Sequence, residues 1–328
     1  MHSNDSVTQE SLASLAQLWS DSGQRLEWDC LFVLPAWLQA WWRCFGEGMT
    51  PFLRSVRSRG AVIGVAPLMI RGRTACFMGD AAICDYLDFV VVPGQEAGFF
   101  SALVHELREQ GIDRLTLEAV RADSAVMGVL AGMAGQLNCR FSAHPLDVAM
   151  AVDLPKTWDA YLRHLRGKER HEIRRKFRRL QESATFVSRI AAKPAEVAKT
   201  MDTFIGLFQK NRPDKAAFMT ADMAAFFRLM AEALAQIGVF KLFSVEIEGE
   251  PAAAVICFDY RSARLLYNNA YDASFAGLSI GLLSKLLSIR DAIRSGLKTY
   301  DFLKGAEAYK QRLGGRPRPL YRCEVDLT

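Results

Sequence analysis

The sequence predicts an α/β protein of two domains, on three observations. A chain of 328 residues is large for one domain. After an opening antiparallel hairpin, strand-like runs alternate with helix-like runs, the order of an α/β sheet domain. A second set of strands with tight turns begins at Phe240 and is followed by its own helix and strand. Half the residues are hydrophobic and 23% are charged, so the chain is globular rather than disordered.

Residues 1–30 read as a leader helix and a loose connection. In FVLPAWLQAWWRCFGEG, Trp37, Trp41, Trp42 and Phe45 recur at helical spacing behind Pro35, a stripe that reads as core packing. Strand-like runs at 52–59 and 61–70 meet at Gly60 as a hairpin, and a third run covers 74–78. CDYLDFVVV then places Asp85, Tyr86 and Asp88 just before a strand. Two carboxylates there can orient a nucleophile or act as a general base. The other reading is a solvated loop with an Asx-turn. A helix (98–110), a strand (115–120), a second helix (124–137) and a strand within 141–154 follow.

From Pro155 the pattern turns helical, with Trp158, Tyr161, Leu162 and Leu165 on one face. The block LRGKERHEIRRKFRRLQE comes next: nine Lys or Arg between Arg163 and Arg179 against Glu169 and Glu172, with Ile173, Phe177 and Leu180 as a thin apolar stripe. Three readings stay open for it: a solvated face, a contact with nucleic acid or a membrane surface, or a grip on phosphates. No helix-turn-helix, zinc-finger or RNP motif supports duplex recognition. A strand (185–190), helices (195–209 and 221–237) and three strands (240–248, 251–260, 265–271) complete this stretch. Ser55-Val56 precede Gly60 as Ser244-Val245 precede Gly249, a faint internal repeat.

The densest chemistry lies in GLSIGLLSKLLSIRDAIRSGLKTYDFLKGAEAYKQRLGG, from Gly277 to Gly315. Leu282, Leu283, Leu286, Leu287, Ile289 and Ile293 give a helix one apolar stripe, with Ser279 placed as its N-cap and Gly281 in its first turn. Such a helix start offers free N–H groups and a positive dipole end, which suit a phosphate or pyrophosphate. Thr299 to Leu303 reads as a buried strand, followed by a loop bearing Lys304, Glu307, Tyr309, Lys310 and Arg312; the last strand covers 319–327.

Composition excludes several classes. The net charge of +5 is mild. Seven cysteines form no CxxC pair, so neither a zinc site nor a disulfide framework is expected. No apolar run approaches the roughly 20 residues of a membrane span. MHSNDSVTQE lacks a signal core, so a cytoplasmic setting is expected.

The run YDFLKGAEAYKQRLGG resembles the C-terminal signature of CelD/FemAB-like acyltransferases, a branch of the GNAT superfamily. Lys168, Arg170, Arg174 and Arg175 resemble the basic helix that precedes the second GNAT domain there, and Asp85-Tyr86 stand where similar chains carry Asp-Tyr. The likeness runs from Phe32 to about Arg322. It implies two tandem GNAT-like domains, each a mixed, mostly antiparallel sheet flanked by helices, over 1–154 and 185–328, with basic connecting helices over 155–184. The implied activity is N-acyl transfer from acyl-CoA to the amine of a small molecule or amino sugar, in surface polysaccharide synthesis by family analogy, without metal and without DNA. The alternatives are aminoacyl transfer from aminoacyl-tRNA, a non-catalytic binding protein on the same fold, and an RNA-binding protein using the basic helix.

On this reading 265–271 is a splayed central strand and 275–282 a pyrophosphate loop. Ser279, Gly281, Leu282 and Lys304 hold the donor. Glu307 is the base and Tyr309 protonates the leaving thiolate. Asp85, Tyr86, Asp88, Lys168, Arg170, Arg174, Tyr271, Lys310 and Arg312 face the acceptor or its anionic groups. Ala306 departs from the pattern, since relatives commonly carry an acid there.

Overall fold

The computed structural model describes residues 5–21, 25–211 and 213–328; parts of the predicted leader, 1–4 and 22–24, lie outside them. The chain forms two compact units, Met1–Val148 with Arg318–Thr328, and Ala149–Pro317.

In the first unit the elements are β1 (Asp5–Gln9), α1 (Leu12–Ser20), α2 (Pro35–Phe45), β2 (Thr50–Ser58), β3 (Ala61–Arg71), β4 (Thr74–Phe77), β5 (Val90–Val91), α3 (Glu96–Glu109), β6 (Arg114–Arg121), a π-turn (Val126–Leu130) running into α4 (Ala131–Met133), and the start of β7 (Arg140–Asp153). The predicted leader helix is thus preceded by a strand, whose Val7 pairs with Val56 of β2. The strand expected in CDYLDFVVV shrinks to β5, because Ile83 and Cys84 turn their N–H groups back to the Asp80 carbonyl. The aromatic stripe of α2 packs as expected: Trp37 and Trp41 are buried, and Trp37 Nε1 donates to Cys84 Sγ at 3.3 Å. Phe77, Phe89, Phe99 and Phe100 form the ring cluster under α3.

The second unit adds α5 (Trp158–His164), α6 (Gly167–Ser183), β8 (Phe186–Ala191), α7 (Pro194–Asn211), α8 (Pro213–Phe218), α9 (Ala221–Gln236), β9 (Phe240–Ile247), β10 (Glu250–Tyr260), β11 (Ala263–Tyr271), a 3₁₀ turn (Ala273–Leu278), α10 (Ile280–Arg294), β12 (Thr299–Lys304), α11 (Ala308–Arg312) and β13 (Arg316–Asp326), most of which returns to the first unit. The loop expected after Lys304 therefore contains a short helix, and α8 had no counterpart in the expectations. Phe204 of α7 stacks on Phe227 of α9, which meets Tyr267 of β11.

The two units repeat one plan. Each contains a hairpin, β2–β3 and β9–β10, closed by two successive left-handed residues: Arg59-Gly60 (φ 51° and 82°) and Glu248-Gly249 (φ 51° and 86°). That is the turn whose twist suits a tight hairpin. A third antiparallel strand follows (β4, β11), then a helix (α3, α10), then a parallel strand (β6, β12). Each parallel pairing lasts three residues: Thr74–Cys76 with Arg114–Thr116, and Ala263–Leu265 with Thr299–Asp301. Beyond it each parallel strand bulges at a buried apolar residue of positive φ, Ala119 (57°) and Leu303 (58°). An L-residue held there costs on the order of 1–2 kcal/mol, and such strain persists where the surroundings enforce it.

Candidate active site

In the second unit β11 and β12 part after Leu265–Asp301. From Leu266 to Tyr271, β11 pairs only with β10 on its other side, with a bulge at Tyr267. The two strands splay as predicted, and among the described residues that edge of β11 has no ladder partner. Asn268, Asn269 and Tyr271 lie on it, all partly exposed.

The start of α10 stands beside that edge. Ser279 occupies the N-cap position in a left-handed conformation (φ 57°), but its side chain makes no cap. Its Oγ instead bonds Lys176 Nζ at 2.6 Å, and that ammonium also pairs with Glu172 at 3.2 Å, tying the basic helix α6 to the mouth of α10. Leu282 turns its N–H back to the Ser279 carbonyl at 3.0 Å, so among the described residues only the Ile280 and Gly281 amides of the first turn have no backbone partner. Gly281 is required by its neighbour: a Cβ there would sit 2.7 Å from Tyr271 Cδ1.

Lys285, one turn on, was hidden in the apolar stripe of the helix. It is buried, donates to Asn269 Oδ1 at 2.9 Å and to the Gly281 carbonyl at 2.7 Å, and lies 4.9 Å above the Tyr309 ring. It thereby joins β11, α10 and α11. Burial, with the nearby Glu307 carboxylate adding to it, pushes the Tyr309 phenol well above its ordinary range. That shift makes the phenol a weaker acid than an ordinary tyrosine while leaving it a hydrogen-bond donor.

Glu307 begins α11, with its side chain 57% exposed and one oxygen 2.9 Å from Lys310 Nζ. Lys310, expected to meet a phosphate or an anionic acceptor, is instead buried: its ammonium also donates to the carbonyls of Leu303 (3.3 Å) and Lys304 (2.5 Å). It is committed to the turn and to holding Glu307, because a buried ammonium must satisfy its donors locally. Arg312 is exposed, as are Lys168 and Arg174 on α6; Arg170 is partly covered. Among the described residues no bond links Lys168, Arg170 or Arg174 to the α10 mouth; the α6 cation that reaches it is Lys176. A cation flanking the Ile173–Phe177 stripe was the signal for it.

Asp85, Tyr86 and Asp88 lie in the first unit. Tyr86 is buried, edge-on to Phe32 with Arg121 5.6 Å above its ring. Burial pushes the Asp88 carboxyl up to about 7, with Asp123 and Asp29 adding to it and the Phe89 N–H and Arg121 opposing. In the unfolded chain the same group titrates near 3.8. The fold therefore favours protonated Asp88. Its contribution to stability is complete below about pH 4 and is lost as pH rises through 7. Asp88→Asn is expected to be more stable than the parent by about 1–3 kcal/mol at pH 8, after discounting for partial exposure, and near parity at pH 4. Melting curves of both proteins from pH 4 to 8 check this; parallel profiles would remove Asp88 as the titrating group.

Residues 167–311 match the family described as acetyltransferase (GNAT) domain, a segment that begins with α6 and ends within α11. That span, less than half of the chain, resembles a GNAT domain. Three solved structures share the fold of the chain. FemX is 12% identical, with a TM-score of 0.66 over 97% of this chain and 96% of that one. A tandem GNAT protein from the clavulanic acid biosynthesis pathway is 14% identical, with a TM-score of 0.52 over 99% of each. L-PGS from Bacillus licheniformis is 10% identical, with a TM-score of 0.56 over 89% and 90%. Among curated proteins no sequence match is found. The chain thus shares the tandem GNAT fold of these structures, and the matched segment supports transfer of an acyl group. Among the described residues no cluster could hold a metal ion, and no helix is long and apolar enough to cross a membrane.

Proposed function

We propose that the GNAT domain moves an acyl group from acyl-CoA to the amine of a small molecule, an amino sugar by family analogy. The observation that carries this reading is the unpaired edge of β11 beside an α10 mouth left uncapped by Ser279. An amide-bearing pantetheine arm can complete a strand edge, and a pyrophosphate suits the Ile280 and Gly281 amides. The residues fit the group: the mouth of α10 is held open by Gly281, where any side chain would strike Tyr271.

Glu307, held by Lys310, takes the proton that the attacking nitrogen sheds. The nitrogen lone pair forms the bond to the acyl carbon, the tetrahedral oxyanion collapses, and sulfur leaves with the electron pair of the broken C–S bond. Tyr309 donates a hydrogen bond to the departing sulfur, which is reprotonated from solvent. A surface polysaccharide as destination rests on analogy alone.

A thermal-shift titration with acetyl-CoA, longer acyl-CoAs and free CoA tests the reading. A ligand at a hundredfold excess over its dissociation constant adds about 2.7 kcal/mol to stability. A shift that deepens with one acyl length names the donor, whereas no shift with any CoA turns the reading to aminoacyl-tRNA or to a binding protein. Gly281→Val is expected to weaken acetyl-CoA binding about tenfold or more, because the Tyr271 ring must leave the mouth. Isothermal titration checks it; unchanged affinity would mean that the donor does not use this mouth.

A further inference from the structure

A cavity of about 380 Å³ opens in the second unit between the α5–α6 corner and the outer side of α11. His164, Arg166 and Glu169 line it from the corner, Gln311 and Arg312 from α11, over buried Leu165. Among the described residues, none of those five polar side chains makes a hydrogen bond or ion pair within the protein. Their neighbours on α11 behave differently: Tyr309 and Lys310 face inward and are engaged. Five uncommitted polar groups around one hollow are the makings of a ligand site, since each guanidinium presents a fork of donors that suits a phosphate. Two guanidiniums outweigh the single carboxylate, so the net preference is for an anion. Glu169 and Gln311 are suited to hydroxyl groups.

We infer that this cavity seats the phosphate of the acceptor, and that the acceptor is a phosphorylated amino sugar: Arg166, Arg312 and His164 hold the phosphate, Glu169 and Gln311 the sugar hydroxyls. The inference rests on the acyl-transfer reading for the word acceptor, while the binding site stands independently of it. Arg166 and Arg312 are both exposed, so their loss spares the fold.

Isothermal titration of the whole protein with glucosamine 6-phosphate, glucosamine and inorganic phosphate provides the test, beside the double variant Arg166→Gln/Arg312→Gln. The parent is expected to bind the phosphate ester about 10- to 100-fold more tightly than glucosamine, and the variant to lose that margin while keeping its acetyl-CoA affinity. Equal affinity of the parent for the two sugars overturns the inference. So does a variant that binds the ester like the parent. Ester binding lost in the variant, in a protein that binds no CoA, would sink the acyl-CoA reading and leave the phosphate site standing.

Discussion

Arg264→Met is expected to cost about 3–5 kcal/mol, a large share of the roughly 5–15 kcal/mol that holds a domain together. Arg264 is fully buried. Its Nε and Nη2 fork Asp259 at 2.6 and 2.7 Å, and its Nη1 donates to Asp291 at 2.9 Å and to the Ser288 carbonyl at 2.8 Å. The guanidinium also lies 4.8 Å from the Phe243 ring. Removing it leaves two mostly buried carboxylates with weaker help, Lys241 at 3.8 Å from Asp259 and exposed Arg294 at 2.8 Å from Asp291. The loss would come from the uncompensated charges, so Asp259→Asn/Arg264→Met/Asp291→Asn should recover much of it. Arg264→Lys should fall between, because one ammonium cannot fork a carboxylate and reach a second. Urea unfolding of the four proteins decides, and an unchanged midpoint in Arg264→Met would refute the argument. Arg264 pairs with Tyr300 in the middle of the last three residues before β11 and β12 part, so activity is expected to fall with stability.

Glu307→Gln is expected to lower kcat by about 10²- to 10⁴-fold, the usual weight of a general base, with acetyl-CoA affinity unchanged. The amide keeps the shape of the side chain, and Lys310 retains its bonds to the Leu303 and Lys304 carbonyls, so the turn survives. Loss of turnover with unaltered melting temperature is the signature. Full turnover would move the base to another carboxylate. Equal loss of donor affinity would make Glu307 a binding group.

Much of this was legible in the sequence where periodicity and turn chemistry speak. The leucine stripe from Leu282 marks α10, and Gly60 and Gly249 mark both hairpins, since their turns demand left-handed residues. The loop around Glu307 was recognisable from its crowding of polar residues. Buried cations were not legible. Arg264 and Lys285 look in sequence like solvated positions, because a long stem lets the charge go wherever acceptors wait, and the acceptors for Lys285 are a carbonyl and an amide 16 residues away. Lys310 was misjudged for the same reason. The left-handed Ala119 and Leu303 carry no signature, as neither residue type favours that conformation.

The first unit is finished by residues 318–328, and β6 obtains its second neighbour only there, through Leu320–Asp326 against Arg114–Arg121. A ribosome makes that strand after all of Ala149–Pro317. Until then the first unit lacks the strand that covers this edge of β6, while the sequence of the second unit is already complete. An uncovered strand edge is a template for pairing with other chains. Until the last strand is made, the edge of β6 that it covers stays open to other chains.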